Sequence, residues 1–388
     1  MIVHLHIGTP KSGTTYLQEV MGANRERLAA DGVLWPGENW RDQVRAVRDF
    51  LDFRPNGVVN PAIWGWWPRV RDRILAWDGR AAILSMEWLV HARPDQVRRL
   101  AEELSPHELR VVVTARDIAR SVPAQWQEQV QNWAQWEWEE YVEGVTADRP
   151  LETGPGRQFW TDHDLGRMLQ AWAEGGVPAE RMTVVTVPPP GSSPQLLWER
   201  FAQVLGVDPA GYDTRVDTSG NASLGAASAE VVRRVNDRTR ARGLDWAYGG
   251  DQVVKWTLSK QTLGPRRPQE AGIKLPVGRR EWAERESQRL IDDVRSRGIA
   301  VVGSLDELVP EPSTYGDLRA PSAEDMLDAA LDGLTGLALE LQERIKADML
   351  APPPPTLLQM VYRSRPLAPV RAVVQPVRGK VKQFRDPG

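Results

Sequence analysis

The 388-residue chain contains no cysteine. That absence excludes disulfide cross-links, thiolate metal sites and a cysteine nucleophile together. No apolar run approaches the roughly 20 residues that a membrane-spanning helix needs. The apolar start at residues 2–7 is short and interrupted by His4 and His6, which argues against a secretory signal. Charge of one sign is missing as well: 49 Lys and Arg stand against 52 Asp and Glu, for a formal charge of -3. Nothing in that balance calls for a nucleic acid or a membrane as partner. Only five histidines occur, without an H-E-x-x-H pair, so no metal site is indicated. No internal repeat of roughly 20 to 50 residues is visible. A soluble, cytoplasmic globular protein is the expectation, with 41% hydrophobic residues to build its core.

What is present is a series of short apolar runs, at residues 2–7, 33–36, 81–84, 109–114, 182–187 and 299–302, separated by segments with helical patterns. After the first run, Leu17, Val20, Met21 and Leu28 continue at near-helical spacing up to Gly32. Short apolar strands alternating with helices predict an α/β fold of three layers around a central, mostly parallel sheet. In such sheets ligands bind beyond the carboxyl ends of the strands. The segments of interest are therefore residues 8–15, 85–87, 115–121 and 188–191.

The character of the chain changes near Pro310 and Pro312. Residues 1–310 are assigned to the α/β domain and 311–350 to an amphipathic helix with the stripe Met326, Leu327, Ala330, Leu331, Leu334, Leu337, Leu341 and Ile345. Residues 351–388 carry four prolines at 352–355 and then Arg363, Arg365, Arg371, Arg378, Lys380, Lys382 and Arg385. This tail reads as a flexible, solvated terminus, with contact to an anionic lipid or glycan as the alternative.

The first loop carries the strongest signal. Gly8 and Gly13 keep the two-glycine spacing of the nucleotide-binding loop G-x-x-x-x-G-K-S/T, yet Thr14 stands where lysine belongs and the lysine has moved inside, to Lys11. Successive N–H groups of such a turn, followed by the positive end of a helix, hold an anion, and Thr14 and Thr15 add hydroxyl donors. The plainer reading is a strand-to-helix turn capped by Thr14. Arg116, directly after the fourth run, is placed to grip a phosphate bidentately or to pair with Asp117. Glu87 ends the third run beside Trp88, either as a functional carboxylate or as a favourable first-turn residue.

Together the loop, the run from Val111 to Asp117 and the stretch from Pro123 to Glu128 resemble the sulfotransferase family that uses 3'-phosphoadenosine 5'-phosphosulfate (PAPS), most of all its bacterial branch. The similarity covers Met1 to about Pro310. It implies that Pro10, Lys11, Ser12, Gly13, Thr14 and Thr15 cradle the 5'-phosphosulfate and that Arg116, with a serine further on, binds the 3'-phosphate. Family members commonly place that serine eight residues after the arginine, where this chain has Ala124, so Ser121 is the substitute. The resemblance further implies sulfuryl transfer to an acceptor hydroxyl of a sugar, glycolipid or small natural product, without metal and with 3'-phosphoadenosine 5'-phosphate (PAP) as product. Lys11 would neutralise the departing phosphate and Glu87 would take the acceptor proton. His91 and His163 stand as alternative bases, whereas His4 and His6 within the first strand read as structural and His107 as lying at the opposite sheet edge.

Seventeen tryptophans are many for this length. Trp126 and Trp133, seven residues apart on one expected helix, would share a face that is either core or a stacking platform for adenine or sugar. Residues 160–164 read as a helix start. The basic stretch from Lys260 to Arg280 reads as a lid or as an exposed linker, and the sequon at Asn221 reads as a loop and helix cap. Two other functions compete. A magnesium-dependent P-loop kinase or nucleotide hydrolase needs the lysine that Thr14 replaces, and a non-catalytic nucleotide-binding scaffold would use the helix after Pro312 for a partner.

Overall fold

A computed structural model describes residues 1–53, 62–193, 195–216, 223–244 and 250–350. Each of the six apolar runs forms a strand: β1 (Ile2–His6), β2 (Val33–Leu34), β3 (Ala81–Ser85), β4 (Glu108–Ala115), β5 (Met182–Thr186) and β6 (Ala300–Val302). They pair parallel throughout in the order β2-β3-β1-β4-β5-β6. The run at 33–36 yields only two strand residues, and Pro36 has no N–H to offer a longer ladder. Alternation along β1 sends Val3 and Leu5 to one face of the sheet, where Leu84, Val111, Val113, Trp172 and Ile291 pack. The other face gathers Leu17, Met21, Ile83, Val112, Val185, Trp198 and Phe201. Helices on both faces of a parallel sheet make the three-layer α/β architecture.

A third cluster takes no residue from the six-stranded sheet. The helices Ile118–Gln131, Trp138–Val145, Gly154–His163 and Ala226–Ala241, with a π-helical segment Asp251–Leu263, enclose Trp126, Tyr141, Phe159 and Val232. Trp126 is 2% exposed and its indole N–H donates to the Trp136 carbonyl, which makes it core rather than a stacking platform. Trp133 does not share its face. The helix ends at Gln131, and Trp133 follows in a left-handed conformation with φ 77°.

Several local expectations are corrected. The helical pattern after the first loop is two helices, Thr14–Ala23 and Arg25–Ala30, broken at Asn24, whose amide side chain bonds the Val20 carbonyl. Residues 160–163 end a helix instead of starting one, and Asp164 caps the next, Leu165–Glu174, by accepting from the Arg167 N–H. Residues 260–269 are no linker: they continue the Asp251–Leu263 segment into a 3-10 turn, and Lys260 is buried. His107 lies beside the Met1 amino group, at the sheet edge away from the strand carboxyl ends. Asn221 and the tail 351–388 lie outside the described residues.

The chain divides into two units, Met1–Leu337 and Ala338–Gly388. A single helix, Ala323–Leu350, carries the C-terminal stripe, of which Met326, Ala330 and Leu337 pack partly buried against the helical cluster while most of the leucines do not face inward. Its buried positions are Ala329 and Gly333, while Leu327, Leu331, Leu334, Leu341 and Ile345 are exposed. No helix among the described residues is long and apolar enough to cross a membrane.

Candidate active site

Strand β1 lies between β3 and β4, so the chain leaves the sheet in opposite directions after β1 and β4 and opens a crevice between their carboxyl ends. The first loop fills that crevice. The Thr9 N–H donates to the Thr114 carbonyl at 2.7 Å and the Thr114 N–H to the Gly8 carbonyl at 2.6 Å, which extends the β1–β4 contact into the loop. Lys11 (φ 61°) and Gly13 (φ 80°) then turn the chain through left-handed conformations. At Gly13 a side chain is excluded twice, since a Cβ there would also lie 2.4 Å from Leu197 Cδ2. The following helix begins at Thr14 without any side-chain cap. Its positive end and first-turn N–H groups thus have no capping side chain, Thr14 included, an arrangement that suits an anion. Ser12 is wholly buried and its hydroxyl donates to the Thr9 carbonyl, so it serves the loop from within.

Beneath the loop sits a support that the sequence did not reveal. His6 is buried between Ser85 on β3 (Nδ1 to Oγ, 2.8 Å) and Thr114 on β4 (Nε2 to Oγ1, 3.1 Å). Thr114 also bonds Ser12 and the Gly8 carbonyl, so three strands and the loop share one network. Burial lowers the His6 pKa to about 3 and keeps the ring neutral. The structural role expected of His4 and His6 matches their burial.

Arg116 follows β4 and donates from Nη1 to the Lys11 carbonyl at 3.0 Å, tying the second strand end to the first loop. It is not spent on Asp117, which instead caps the Ile118–Gln131 helix and pairs with Arg120. Burial, then Arg120, lowers the guanidinium to about pKa 10, which leaves it charged at neutral pH. With Ser121, Thr9, Phe159 and His163 it lines a small cavity. Two polar nitrogens there, Arg116 Nε and His163 Nε2, have no hydrogen-bond partner among the described residues, a costly condition for buried polar groups. The Ser121 hydroxyl donates to the Asp117 carbonyl of its own helix, at 2.9 Å. His163 stacks on Phe159, and burial followed by the charges of Arg116 and Lys11 lowers it to about pKa 3.

Glu87 heads a short 3-10 helix after β3, and a Cβ on Gly8 would come within 3.2 Å of its own Cβ. The carboxylate thus adjoins the cradle. Gln18 donates to its Oε2 at 3.2 Å. Burial raises its pKa and Glu128 adds to the rise, against the Gln18 bond and Lys11. Trp88 packs on Phe53 and under Arg48.

Four further residues adjoin these: Glu128 and Lys260, which the sequence placed only within longer stretches, and Lys255 and Asp162, which it did not single out. Lys11 Nζ pairs with Glu128 Oε2 at 3.0 Å, and Lys255 Nζ with Glu128 Oε1 at 2.7 Å. Burial alone would raise the Glu128 carboxyl, but Lys11, Lys255 and Lys260 hold it well below the usual range. Lys260 in turn is lowered to about pKa 8 by burial, against the pull of Glu128. Lys260 opens the basic stretch seen in the sequence, but the approach of Lys255 to Glu128, 127 residues earlier in the chain, is a product of tertiary packing. Asp162 accepts from Gln125 (2.7 Å) and Gln158 (2.9 Å) and faces His91 at 3.4 Å. Burial raises Asp162 to about pKa 7, with Glu87 contributing. His91 is lowered by burial and by Arg167. Among the described residues no three His, Asp or Glu gather as metal ligands.

Compared with known protein families, curated proteins and solved structures, the chain matches none.

Proposed function

We propose that the protein is a sulfotransferase that moves a sulfuryl group from PAPS to an acceptor hydroxyl. One observation carries this reading: Arg116 is bonded to the backbone of the very lysine that sits inside the Gly8–Gly13 loop. A donor with phosphate at both ends of its ribose needs two cationic subsites at a fixed separation, and this bond fixes them.

In the proposed step the acceptor oxygen attacks sulfur in line. The new O–S bond forms as the bond from sulfur to the bridging phosphate oxygen breaks, and its electron pair leaves with PAP. Glu87 takes the acceptor proton, for which a raised pKa suits it. Lys11 turns from Glu128 to the departing phosphate, and the uncapped helix at Thr14 stabilises the same charge. Arg116, with Ser121 beside it, holds the 3'-phosphate.

The test is transfer of label from ³⁵S-labelled PAPS to a pool of hydroxyl acceptors. Transfer is expected from the intact chain and is expected to vanish in Lys11→Ala. Label that stays on the nucleotide while PAP binds normally favours the non-catalytic scaffold. Label release from γ-labelled ATP with magnesium favours the kinase or hydrolase.

A further inference from the structure

The helix Ala323–Leu350 presents a seam that nothing in its own chain covers among the described residues. Leu327, Leu331, Leu334, Ala338, Leu341 and Ile345 alternate at spacings of four and three, the 3.5-residue period of a coiled coil. The four leucines and the isoleucine are each 51–65% exposed. The adjoining face explains why. Ala329 and Gly333 are buried, and a Cβ added at Gly333 or Gly336 would strike Leu258 Cδ1 or Thr262 Oγ1 at 2.8 and 2.1 Å. Small residues thus hold the helix closely against the Asp251–Leu263 segment, and the large ones are left outside.

We propose that this seam pairs with the same seam of a second copy of the chain, antiparallel. Charge argues against a lipid surface as the occupant: Glu324, Asp325, Asp328 and Asp332 flank the seam, and no Lys or Arg occurs on the helix before Arg344. Volume argues for self-pairing. With two copies antiparallel about Gly336, Leu327 meets Ile345 of the second copy, Leu331 meets Leu341, and Leu334 meets Ala338. Every layer is then filled, with the one small residue opposite a large one. Parallel pairing would set Ala338 against Ala338 and four acids against four acids. Antiparallel pairing moves those acids away from one another, toward the half that holds the helix's two cations, Arg344 and Lys346, together with Glu340, Glu343 and Asp348, so the layer volumes and not a charge match set the orientation.

Sedimentation of the full chain at tens of micromolar is expected to give twice the monomer mass. Leu331→Asp with Leu334→Asp is expected to restore the monomer with unchanged far-ultraviolet circular dichroism, since both side chains are exposed, while Glu343→Gln stays dimeric. The absence of native cysteine makes the orientation testable. Leu327→Cys and Ile345→Cys chains are expected to cross-link when mixed and oxidised, and not singly. A monomeric wild type, a dimer that survives the double aspartate, loss of the dimer in Glu343→Gln, or self-cross-linking of Leu327→Cys would each overturn the proposal.

Discussion

A carboxyl group that holds its proton beyond the ordinary range is a stronger base once ionised, and two such groups, Glu87 and Asp162, influence each other electrostatically here. For Glu87, substitution by Gln keeps the shape and the Gln18 contact but removes the proton acceptor. Turnover is expected to fall by about 10² or more, with PAP affinity within about twofold of wild type. The acid limb of the rate profile is expected above the usual carboxylate range, because burial raises Glu87. Asp162 makes a stability prediction. Its carboxyl ionises near pH 3.8 when unfolded but near 7 when folded, so the folded chain binds the extra proton between those values. Stability therefore falls as pH rises across that window and levels off above it. Asp162→Asn removes this slope, and denaturant midpoints should show the variant gaining on wild type from pH 5 to pH 8, by on the order of 2 kcal/mol. A difference that shrinks with rising pH would contradict the assignment. His6 acts with the opposite sign, because its folded pKa near 3 lies below the unfolded 6.5. Its contribution is complete above pH 6.5 and is lost on acidification.

At the level of elements, the two decisive features are backbone features. The loop works only if Gly13 is left-handed, and Gly13→Ala is expected to weaken PAP binding at least tenfold and to cost about 1–2 kcal/mol of stability. Leu197→Ala relieves the contact at 2.4 Å but not the positive φ, so the double variant should remain weak in binding. On the C-terminal helix the usual rule reverses. Gly→Ala within a helix normally gains about 1 kcal/mol, yet a Cβ at Gly336 meets Thr262 Oγ1 at 2.1 Å. Gly336→Ala should therefore lower the melting temperature, and Thr262→Ala should recover only part of the loss, because the Thr262 Cβ itself lies 2.8 Å from the added carbon. These elements were unequally legible. The six strands were readable because parallel strands buried on both faces must be apolar runs, and β3 is buried along its whole length. The loop was readable because its glycines and lysine are adjacent in sequence. The leucine stripe misled: periodicity shows that a helix has an apolar face, but glycines at 333 and 336 let a different face approach its neighbour more closely.

For the molecule as a whole, the β1–β4 crevice gathers groups from five distant stretches: the first loop, the end of β3, the end of β4 with its helix, the Gly154–His163 helix and the Asp251–Leu263 segment. Lys11, Glu87 and Arg116 could be named from sequence because each follows a strand. Lys255 and Asp162 could not, and Glu128 and Lys260 appeared only as ends of longer stretches, because each lies within a helical stretch and approaches the crevice only through packing of the helical cluster. The same dependence on strand ends explains why Trp126 was uncertain, since a tryptophan stripe reads alike in core and in pocket. Net charge near neutrality hid the site too: the three lysines around Glu128 are balanced elsewhere in the chain. What distinguishes the proposed donor from other nucleotides is its 3'-phosphate, and Arg116 is the residue assigned to it. Calorimetric titration with PAP in magnesium-free buffer tests that assignment most directly. Binding should be tight without metal, should weaken at least tenfold in Arg116→Ala and in Lys11→Ala, and should exceed that of adenosine 5'-phosphate in the intact chain. Tighter binding of magnesium-ATP than of PAP, with no effect of Arg116→Ala on PAP, would contradict it.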